Sequence, residues 1–345
     1  MGIHYARAWS KAGAEVSVFD LSKAAIERFP QIWRERYGST VPRSVKIATL
    51  EEFSVSERQF DLIVIGTPPP SHGELARLSL AERASKVVAI QKPVCTPESE
   101  DLKRLIRIEE DASAMGVTLI SGYNHRYSPS FQQLLSFVSR NFNRDSQISI
   151  EVNWRESWDG ILRAHPWLES PSDSYLGHSR LGGGALFEHS HGLDIGLYLW
   201  GYLGGSGLEQ IDVQSVWSDS GNYDASTTLS AVAPNELLSL RVTQDVTTYP
   251  VQKSVRVSSE DFSAVLEFSS NSDVLHLSNR EGDISKKFSK NRESDFDAEV
   301  SIVKLLVADD AQLSPESRSL MDFSLALDTS ILAASAIHAG KSERE

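Results

Sequence analysis

The first third of the chain alternates short apolar runs with longer amphipathic ones, and this alternation constrains the fold more than any other feature. Alternation of this kind implies a parallel sheet covered on both faces by helices. The run at 62–65 is apolar throughout, as a strand buried on both sides must be. The pattern predicts strands at 14–20, 45–48, 60–66, 86–90 and 117–122, with helices at 3–13, 22–36, 71–84 and 98–115.

The pattern changes from about residue 147, where apolar and polar residues alternate with a period of two. Turn residues separate these runs, and a helical stretch near 184–200 interrupts them. Such a pattern indicates a largely antiparallel sheet. The predicted strands are 147–154, 209–217, 226–233, 237–245, 253–259 and 263–268, followed by helices at 294–307 and 316–339.

The two patterns predict an α/β chain with two domains, a number that 345 residues comfortably accommodate. A Rossmann-type parallel-sheet domain, which binds dinucleotides, occupies 1–122. An α+β domain with a large, mainly antiparallel sheet follows at 123–315. The alanine- and leucine-rich segment 316–345 is expected to pack back across the domain junction as a C-terminal helix.

Charge and cysteine content narrow the range of partners and locations. The formal net charge is -13, and no run of lysine and arginine occurs, which argues against nucleic acid or an anionic membrane as a partner. We see no signal peptide and no apolar stretch long enough to cross a bilayer, so we expect a cytoplasmic protein. The single cysteine, Cys95, fits a reducing compartment and is expected to be a packing residue.

Polar clusters follow three successive strands of the predicted parallel sheet. They are the loop 66–72, which contains Thr67, Pro68 and His72, then the segment 91–93, and then the segment 122–127. Ligands of parallel sheets bind beyond the carboxyl ends of the strands. We therefore expect the three clusters to converge on one crevice, although each taken alone is also an ordinary turn.

The beginning of the sequence resembles part of a dinucleotide-binding fingerprint. Gly2 matches its last glycine, and the first strand and earlier glycines are absent from the sequence as given. Asp20, at the tip of the following strand, is placed to accept hydrogen bonds from an adenosine ribose and to repel the extra phosphate of NADP. This favours NAD over NADP. The alternative is that Asp20 caps the helix that starts near Lys23.

Four motifs together resemble the glucose-fructose oxidoreductase, inositol dehydrogenase and rhizopine-catabolism family, abbreviated Gfo/Idh/MocA. They are TPPPSH at 67–72, QKP at 91–93, GYNHRYSPSFQQL at 122–134 and GGGALFEHSHGLDIGLYLWG at 182–201. The resemblance spans nearly the whole chain. It implies a nicotinamide-dependent oxidoreductase that transfers a hydride to or from a sugar, a cyclitol or a nucleotide-linked sugar.

The resemblance also implies catalytic roles. Lys92 is expected to lie between nicotinamide and substrate, where an ammonium can hold a hydroxyl and polarise an alkoxide. His191 resembles the acid–base histidine of the family, with Asp194 beside it to fix its tautomer. Gln91 stands where the family has a glutamate, which removes a carboxylate near Lys92. The alternatives are a surface lysine and a hydrogen-bonded pair that supports the domain interface.

Other residues of the second domain have weaker expectations. A metal site built from Glu188, His191 and Asp194 is disfavoured by its spacing, so we predict no metal. The glycines at 182–184 precede the motif helix and indicate a turn or a close approach to a ligand. The region from Trp154 to Tyr175 resembles a loop of relatives that act in cell-surface sugar biosynthesis, and its aromatic and histidine side chains suit sugar rings.

The predicted site has three groups of residues. The catalytic group is Lys92, His191 and Asp194. The cofactor-binding group is Gly2, Asp20, Thr67, Pro68, His72, Gln91 and Lys92. The substrate-binding group is Asn124, Arg126, His165, Trp167 and Tyr175.

Two further expectations concern assembly and the rival function. The exposed face of the second sheet is expected to form a homo-oligomer, a dimer or a tetramer, as the resemblance implies. The rival to an enzyme is a binding or assembly protein of the same fold that has lost dinucleotide binding, because the leading glycines and the first strand are absent from the sequence.

Overall fold

The computed structural model describes residues 2–54, 59–81, 85–163, 168–308 and 313–342. Its first part has the predicted alternation of strands and helices. The elements are α1 (Gly2–Lys11), β1 (Val16–Asp20), α2 (Lys23–Tyr37), β2 (Val45–Thr49), α3 (Leu50–Ser54), β3 (Ile63–Ile65), α4 (His72–Ala81), β4 (Val87–Ile90), α5 (Ser99–Met115) and β5 (Thr118–Ser121).

The strands of this part are parallel and form two separate pieces, as a β1–β2 pair and a three-stranded β3–β4–β5 sheet. Among the described residues, no strand hydrogen-bonds to both pieces. In the three-stranded piece Ile65 pairs with Ile90, and Ile90 pairs with Ser121. The residues that follow these three strands therefore lie side by side at one edge of the sheet.

The second part begins after a 3-10 turn at Asn124–Tyr127. Its elements are α6 (Pro129–Asn141), β6 (Ile148–Arg155), α7 (Trp158–Arg163), α8 (Gly184–Glu188), α9 (His191–Tyr202), β7 (Glu209–Trp217), β8 (Asp224–Val232), β9 (Leu238–Asp245), β10 (Gln252–Ser258), β11 (Phe262–Phe268), β12 (Ser272–Asn279), β13 (Gly282–Ser289), α10 (Arg292–Ala308), α11 (Pro315–Leu320) and α12 (Phe323–Ser342).

The strands of the second part form one eight-stranded sheet in the order β13-β12-β11-β10-β6-β9-β8-β7. Only β6 and β9 pair in parallel, and the other neighbours are antiparallel. Every second residue of β6 is buried, from Ile148 to Trp154, because that face packs against α9. The opposite face presents polar side chains such as Glu151, Arg241 and Arg256. The predicted fold class is thus confirmed.

Some elements differ from the prediction. Strands β12 and β13 extend the sheet beyond the last predicted strand, and the exposed residues of β13 explain why no alternation signalled it. The predicted helix at 184–200 is divided into α8 and α9. The predicted helix at 316–339 is divided into α11 and α12, with Met321 closing the first.

Helix α12 is long and apolar enough to cross a membrane, since residues Phe323 to Gly340 have a mean hydropathy of 1.2. This differs from the expectation that no stretch of the chain is long and apolar enough to do so. More than half of that window is buried in the protein. The helix packs on α5 and β5 of the first part and on α9 and β7 of the second. A core helix of a folded domain explains its apolar character, so it is weak support for a membrane span.

Candidate functional site

Lys92 follows β4, the fully buried central strand of the three-stranded sheet. Its Nζ donates hydrogen bonds to the backbone oxygen of Glu188 at 2.7 Å and to Glu188 Oε1 at 3.2 Å. The two side chains are 9% and 11% exposed, so the pair is nearly buried but not sealed. Because Glu188 ends α8, this ion pair joins the strand ends of the first part to the motif helix of the second.

Tyr175 completes this group. Its hydroxyl donates to Glu188 Oε2 at 3.3 Å, so the two oxygens of the carboxylate hold different donors. Burial, followed by the negative charge of Glu188, raises the pKa of Tyr175 well above its usual value. The phenol therefore stays protonated and acts as a hydrogen-bond donor. The sequence predicted Tyr175 as a substrate contact, whereas Glu188 was considered only as a disfavoured metal ligand.

His191 is the first residue of α9 and packs among other rings. Its ring centroid lies 4.7 Å from that of His125, 5.5 Å from Tyr123 and 5.9 Å from Trp154. Burial, then the charges of His125 and Lys92, lower the pKa of His191 well below its usual value. The imidazole is therefore neutral at neutral pH. The Nδ1 atom is buried and has no hydrogen-bond partner.

Asp194 does not pair with His191, contrary to the prediction. Its Oδ2 lies 3.0 Å from Arg126 Nε, and both side chains are buried, at 1% and 0% exposure. Burial raises the pKa of Asp194 to about 7, while Arg126 opposes that shift. Asp194 is three residues from His191 on α9, but it turns toward the 3-10 turn that carries Arg126, against which α9 packs. Nothing in the structure makes Asp194 the group that orients the histidine.

Arg126 is likewise not available to a substrate, contrary to the prediction. Its Nη2 donates to Ser121 Oγ at 2.8 Å, and its guanidinium faces the rings of Tyr123 and Tyr198 at 5.5 and 5.8 Å. With no exposed surface, it is a buried structural cation. The reason is its place in the 3-10 turn, which directs it into the junction behind the strand ends.

The neighbouring residues of this turn are less buried than Arg126. His125 packs on Trp154 and Phe268, at centroid distances of 4.9 and 5.5 Å, and burial followed by Lys290 lowers its pKa well below the usual value. Asn124 is half-buried, and its Oδ1 is buried with no hydrogen-bond partner. An amide oxygen in this state can accept a hydrogen bond from a ligand. Asn124 therefore stays a predicted substrate contact.

The predicted contacts His165 and Trp167 lie outside the described residues. No group of three or more histidine, cysteine, aspartate or glutamate residues that could hold a metal occurs in the part of the chain that the structure describes. A cavity of about 470 Å³ opens between α5, β5 and α11, but it contains none of the predicted site residues.

At the nucleotide end, Gly2 is exposed as the first residue of α1, and a Cβ built on it would meet nothing within 4 Å. Asp20 is exposed at the tip of β1, where its Oδ1 accepts a hydrogen bond from the backbone N–H of Ser22 at 2.8 Å. Ser22 itself caps α2. Capping chemistry thus engages one carboxylate oxygen of Asp20, and the turn leaves the side chain at the surface.

The loop after β3 holds a buried histidine. Thr67 and Pro68 are exposed, whereas His72 is fully buried. The His72 Nε2 atom lies 2.6 Å from the carbonyl oxygen of Thr67, and Nδ1 lies 3.2 Å from that of Val94. Burial lowers the pKa of His72, so the neutral ring has one N–H, which we assign to the shorter contact. His72 therefore braces the loop internally through Nε2–H, and its ring is fully buried beside the segment after Lys92, so it is not exposed to a cofactor, contrary to the prediction.

Gln91 belongs to a buried chain of three side chains. Tyr5 Oη lies 3.0 Å from Gln91 Oε1 and 2.6 Å from Glu299 Oε2. A phenol has one proton, so it cannot donate to both. Burial raises the pKa of Glu299 to about 8, which resolves the conflict. Protonated Glu299 donates to Tyr5, and Tyr5 donates to Gln91. The Gln91 side chain thus faces α1 and α10. This differs from the prediction, which placed Gln91 against a cofactor.

Comparison with known proteins adds information on the fold. No protein-family model matches the sequence, and no curated protein matches it. Solved structures do match. An NAD-binding oxidoreductase from Klebsiella pneumoniae superposes with a TM-score of 0.74 at 15% identity, over 100% of this chain and 95% of the other. A UDP-N-acetylglucosamine 3-dehydrogenase from Acidithiobacillus ferrooxidans gives 0.71 at 14%, over 99% and 94%.

A third similar structure is the super-repressor mutant of Gal80p from Saccharomyces cerevisiae, with a TM-score of 0.73 at 16% identity, over 98% of this chain and 91% of the other. These identities establish the fold alone. The chain shares the fold of these structures, with a parallel-sheet part followed by a part built on a large, mainly antiparallel sheet. The fold that its resemblance to the Gfo/Idh/MocA family implied is therefore confirmed.

Proposed function

We propose that this chain is a nicotinamide-dependent oxidoreductase of the Gfo/Idh/MocA family that acts on a hydroxyl or carbonyl group of a sugar, cyclitol or nucleotide-linked sugar. The observation that carries the proposal is the Lys92–Glu188 ion pair at the end of β4, with His191 beginning α9 three residues after Glu188. A strand-end ammonium and a neutral imidazole supply the two functions that alcohol oxidation needs, which are orientation of the oxygen and acceptance of its proton.

The residues present fit a dinucleotide at the carboxyl ends of the parallel strands. Gly2 is open at the start of α1, Asp20 is exposed at the tip of β1, and Thr67 and Pro68 are exposed after β3. These residues would hold the cofactor, and the carboxylate of Asp20 favours NAD over NADP. A bound nicotinamide would supply the acceptor or donor of the hydride.

The protein side of the reaction then follows from the contacts. Two of the three N–H donors of Lys92 go to Glu188, which leaves one for a substrate oxygen. The carboxylate of Glu188 stabilises the ammonium of Lys92. The glutamate that the family has in place of Gln91 is therefore not needed for this role. His191 is neutral and so can accept the hydroxyl proton during oxidation and return it during reduction. Tyr175 keeps Glu188 in place by donating to its second oxygen.

The substrate class is supported by the polar character of the residues around Lys92. Ammonium, carboxylate and phenol groups meet there, the neighbouring segments carry an amide and an imidazole, and such a mixture of donors and acceptors suits a polyhydroxylated ligand. A similar structure is named as a nucleotide-sugar dehydrogenase, which is consistent with this class and with a role in cell-surface sugar biosynthesis. The proposal places the protein in the cytoplasm, where nucleotide cofactors are plentiful.

The test of the proposal is a titration with NADH and NADPH followed by fluorescence and calorimetry. We expect NADH to bind more tightly than NADPH, and binding of neither at millimolar concentration would contradict the enzyme function. With a panel of nucleotide sugars, sugars and cyclitols as substrates, Lys92→Ala and His191→Ala should lose turnover while retaining NADH binding and the wild-type circular dichroism spectrum. Full activity in either variant would refute the mechanism.

Assembly is part of the same proposal. We propose a homo-oligomer through the outward face of the eight-stranded sheet, where Glu151, Arg241 and Arg256 form a polar row. An isologous dimer pairs such a row with its own copy. Light scattering after gel filtration should show a dimer or tetramer, and Arg256→Glu should weaken it. A wild-type monomer at micromolar concentration would contradict this part.

A second candidate function is binding without turnover. It is favoured by the separation of the parallel strands into two pieces, because a divided sheet is a poorer support for a dinucleotide. The similar structure of a repressor, Gal80p, makes a regulatory role for this fold a concrete alternative. The titration separates the two functions, since sugar binding without NADH binding would favour this candidate.

A further inference from the structure

The glycines at 182–184, the last of which begins α8, each lie against a different close neighbour. A Cβ on Gly182 would lie 3.1 Å from Pro69 Cγ, and one on Gly183 would lie 2.1 Å from the carbonyl oxygen of Tyr175. A Cβ on Gly184 would lie 2.2 Å from Asp224 Oδ1, and the φ of Gly184 is +85°. The glycine run therefore packs against protein atoms, and its closest side-chain neighbour is Asp224.

Asp224 begins β8 and is fully buried. Its Oδ2 accepts hydrogen bonds from the backbone N–H of Leu186 at 2.9 Å and from the hydroxyl of Thr227 at 3.0 Å. The backbone N–H of Ala185 also interacts with this carboxylate. Asp224 thus holds the first turn of α8 from the large sheet. A carboxylate in this place satisfies N–H groups that have no partner within the helix.

Helix α8 is only five residues long, so its first turn fixes the position of its last residue. That last residue is Glu188, whose backbone oxygen and carboxylate both receive Lys92. The carbonyl of Tyr175 lies against Gly183, and the Tyr175 hydroxyl reaches Glu188. Glu188 and Tyr175 are therefore both anchored at the start of α8, where Asp224 binds.

We propose that Asp224 is a positioning residue for the Lys92 site, acting through α8 on Glu188. It contacts neither Lys92 nor any group that the proposed reaction uses, and it determines where the Glu188 carboxylate stands. The inference rests on the proposed function for its catalytic meaning. Its structural content, that weakening the Asp224 hydrogen bonds to α8 loosens Lys92, is independent of any substrate.

The test measures the reactivity of Lys92 with acetic anhydride by quantitative mass spectrometry on the full chain. Lys290 is the internal reference, because its side chain is 10% exposed against 9% for Lys92. A general loosening of the fold raises acetylation of both lysines, whereas displacement of Glu188 raises the Lys92 to Lys290 ratio alone. We expect a several-fold rise in this ratio for Glu188→Gln and a smaller rise for Asp224→Asn.

Threonines on β8 provide a matched pair in case Asp224→Asn does not fold. Thr227→Val removes a hydrogen bond to Asp224, whereas Thr228→Val removes one to Thr243 on β9. Only the first should raise the ratio. A wild-type ratio in both Asp224→Asn and Thr227→Val would overturn the proposal. A wild-type ratio in Glu188→Gln would instead remove the ion pair on which the proposed function depends, so the two failures are distinguishable.

Discussion

Two buried ion pairs with nearly equal distances differ in what surrounds them. Lys92 and Glu188 are 3.2 Å apart with side chains 9% and 11% exposed, and Arg126 and Asp194 are 3.0 Å apart with 0% and 1% exposed. The guanidinium of Arg126 packs against two aromatic rings and donates to a serine with no exposed surface, whereas the ammonium of Lys92 keeps some exposed surface. Access, not distance, separates a site that can react from one that only supports.

The largest effect is expected from breaking the sealed pair. Arg126→Met leaves Asp194 without its cation in a fully buried site, and loss of one partner of a buried pair costs about 3–5 kcal/mol. Urea unfolding should show a decrease of that size in the free energy of unfolding. Removing both charges in Arg126→Met with Asp194→Leu should recover much of the loss. Equal instability of the double variant would contradict the assignment of this pair as a self-contained ion pair.

The next largest effect on stability is expected at Glu299, a buried carboxyl group without a cation. Glu299 has a pKa of about 8 in the folded protein, above its ordinary value of 4.5, so folding favours its protonated form. That contribution is complete at low pH and is lost as pH rises through 8. Stability from this group should therefore fall between pH 5 and 9.

The matched variant is Glu299→Gln, whose amide can donate to Tyr5 at every pH. Thermal unfolding at a series of pH values should show a flatter dependence for this variant, with the two curves separating from about pH 5 to 8 and running parallel above that range. Tyr5→Phe is a useful control, because it breaks the chain to Gln91 while leaving the carboxyl buried. Parallel pH curves for wild type and Glu299→Gln would show that Glu299 is ionised throughout.

The fold was largely predictable, because hydrophobic periodicity reports which face of an element is buried. Strand ends aligned as expected, since Ile65, Ile90 and Ser121 are in register. Strand β13 was not predicted because both of its faces are exposed, so its sequence has no alternation of apolar and polar residues. The breaks between α8 and α9 and between α11 and α12 were not predicted, because the apolar residues on both sides of each break have helical spacing.

The site was predictable only in part. Sequence order brought Lys92, Tyr175 and the motif helix into consideration, and the structure places them together. The partner of Asp194 could not be derived, because spacing on one helix leaves open whether a side chain meets its own neighbour or another element. Glu188 and Asp224 were missed for the same reason, since their partners are distant in sequence. An acidic residue three positions before His191 was the available signal for Glu188.

Breaking the partly exposed pair of Lys92 and Glu188 should lower the free energy of unfolding less than breaking the buried pair of Arg126 and Asp194. Glu188→Leu leaves Lys92 without a carboxylate, but an ammonium near the cleft can turn toward water, so we expect a loss of about 1–2 kcal/mol. Urea unfolding measures it, with Arg126→Met as the reference. Turnover should fall by about 10²-fold or more, as for loss of a group that stabilises developing charge. A stability loss as large as that of Arg126→Met would erase the distinction between the two pairs.

The smallest effect on stability is expected at Asp20, a fully accessible carboxylate that has neither a cation nor a buried neighbour to satisfy. Asp20→Asn keeps an oxygen for the Ser22 N–H, so the turn into α2 survives and stability should change by less than about 0.5 kcal/mol. The charge that repels a ribose phosphate is lost. We expect the ratio of NADPH to NADH affinity to rise about tenfold, a change worth about 1.4 kcal/mol.

Asp20→Ala is the control that also removes the turn, and it should destabilise α2 while giving the same shift in cofactor preference. An unchanged ratio in both variants would place the ribose away from β1 and leave Asp20 with a capping role alone.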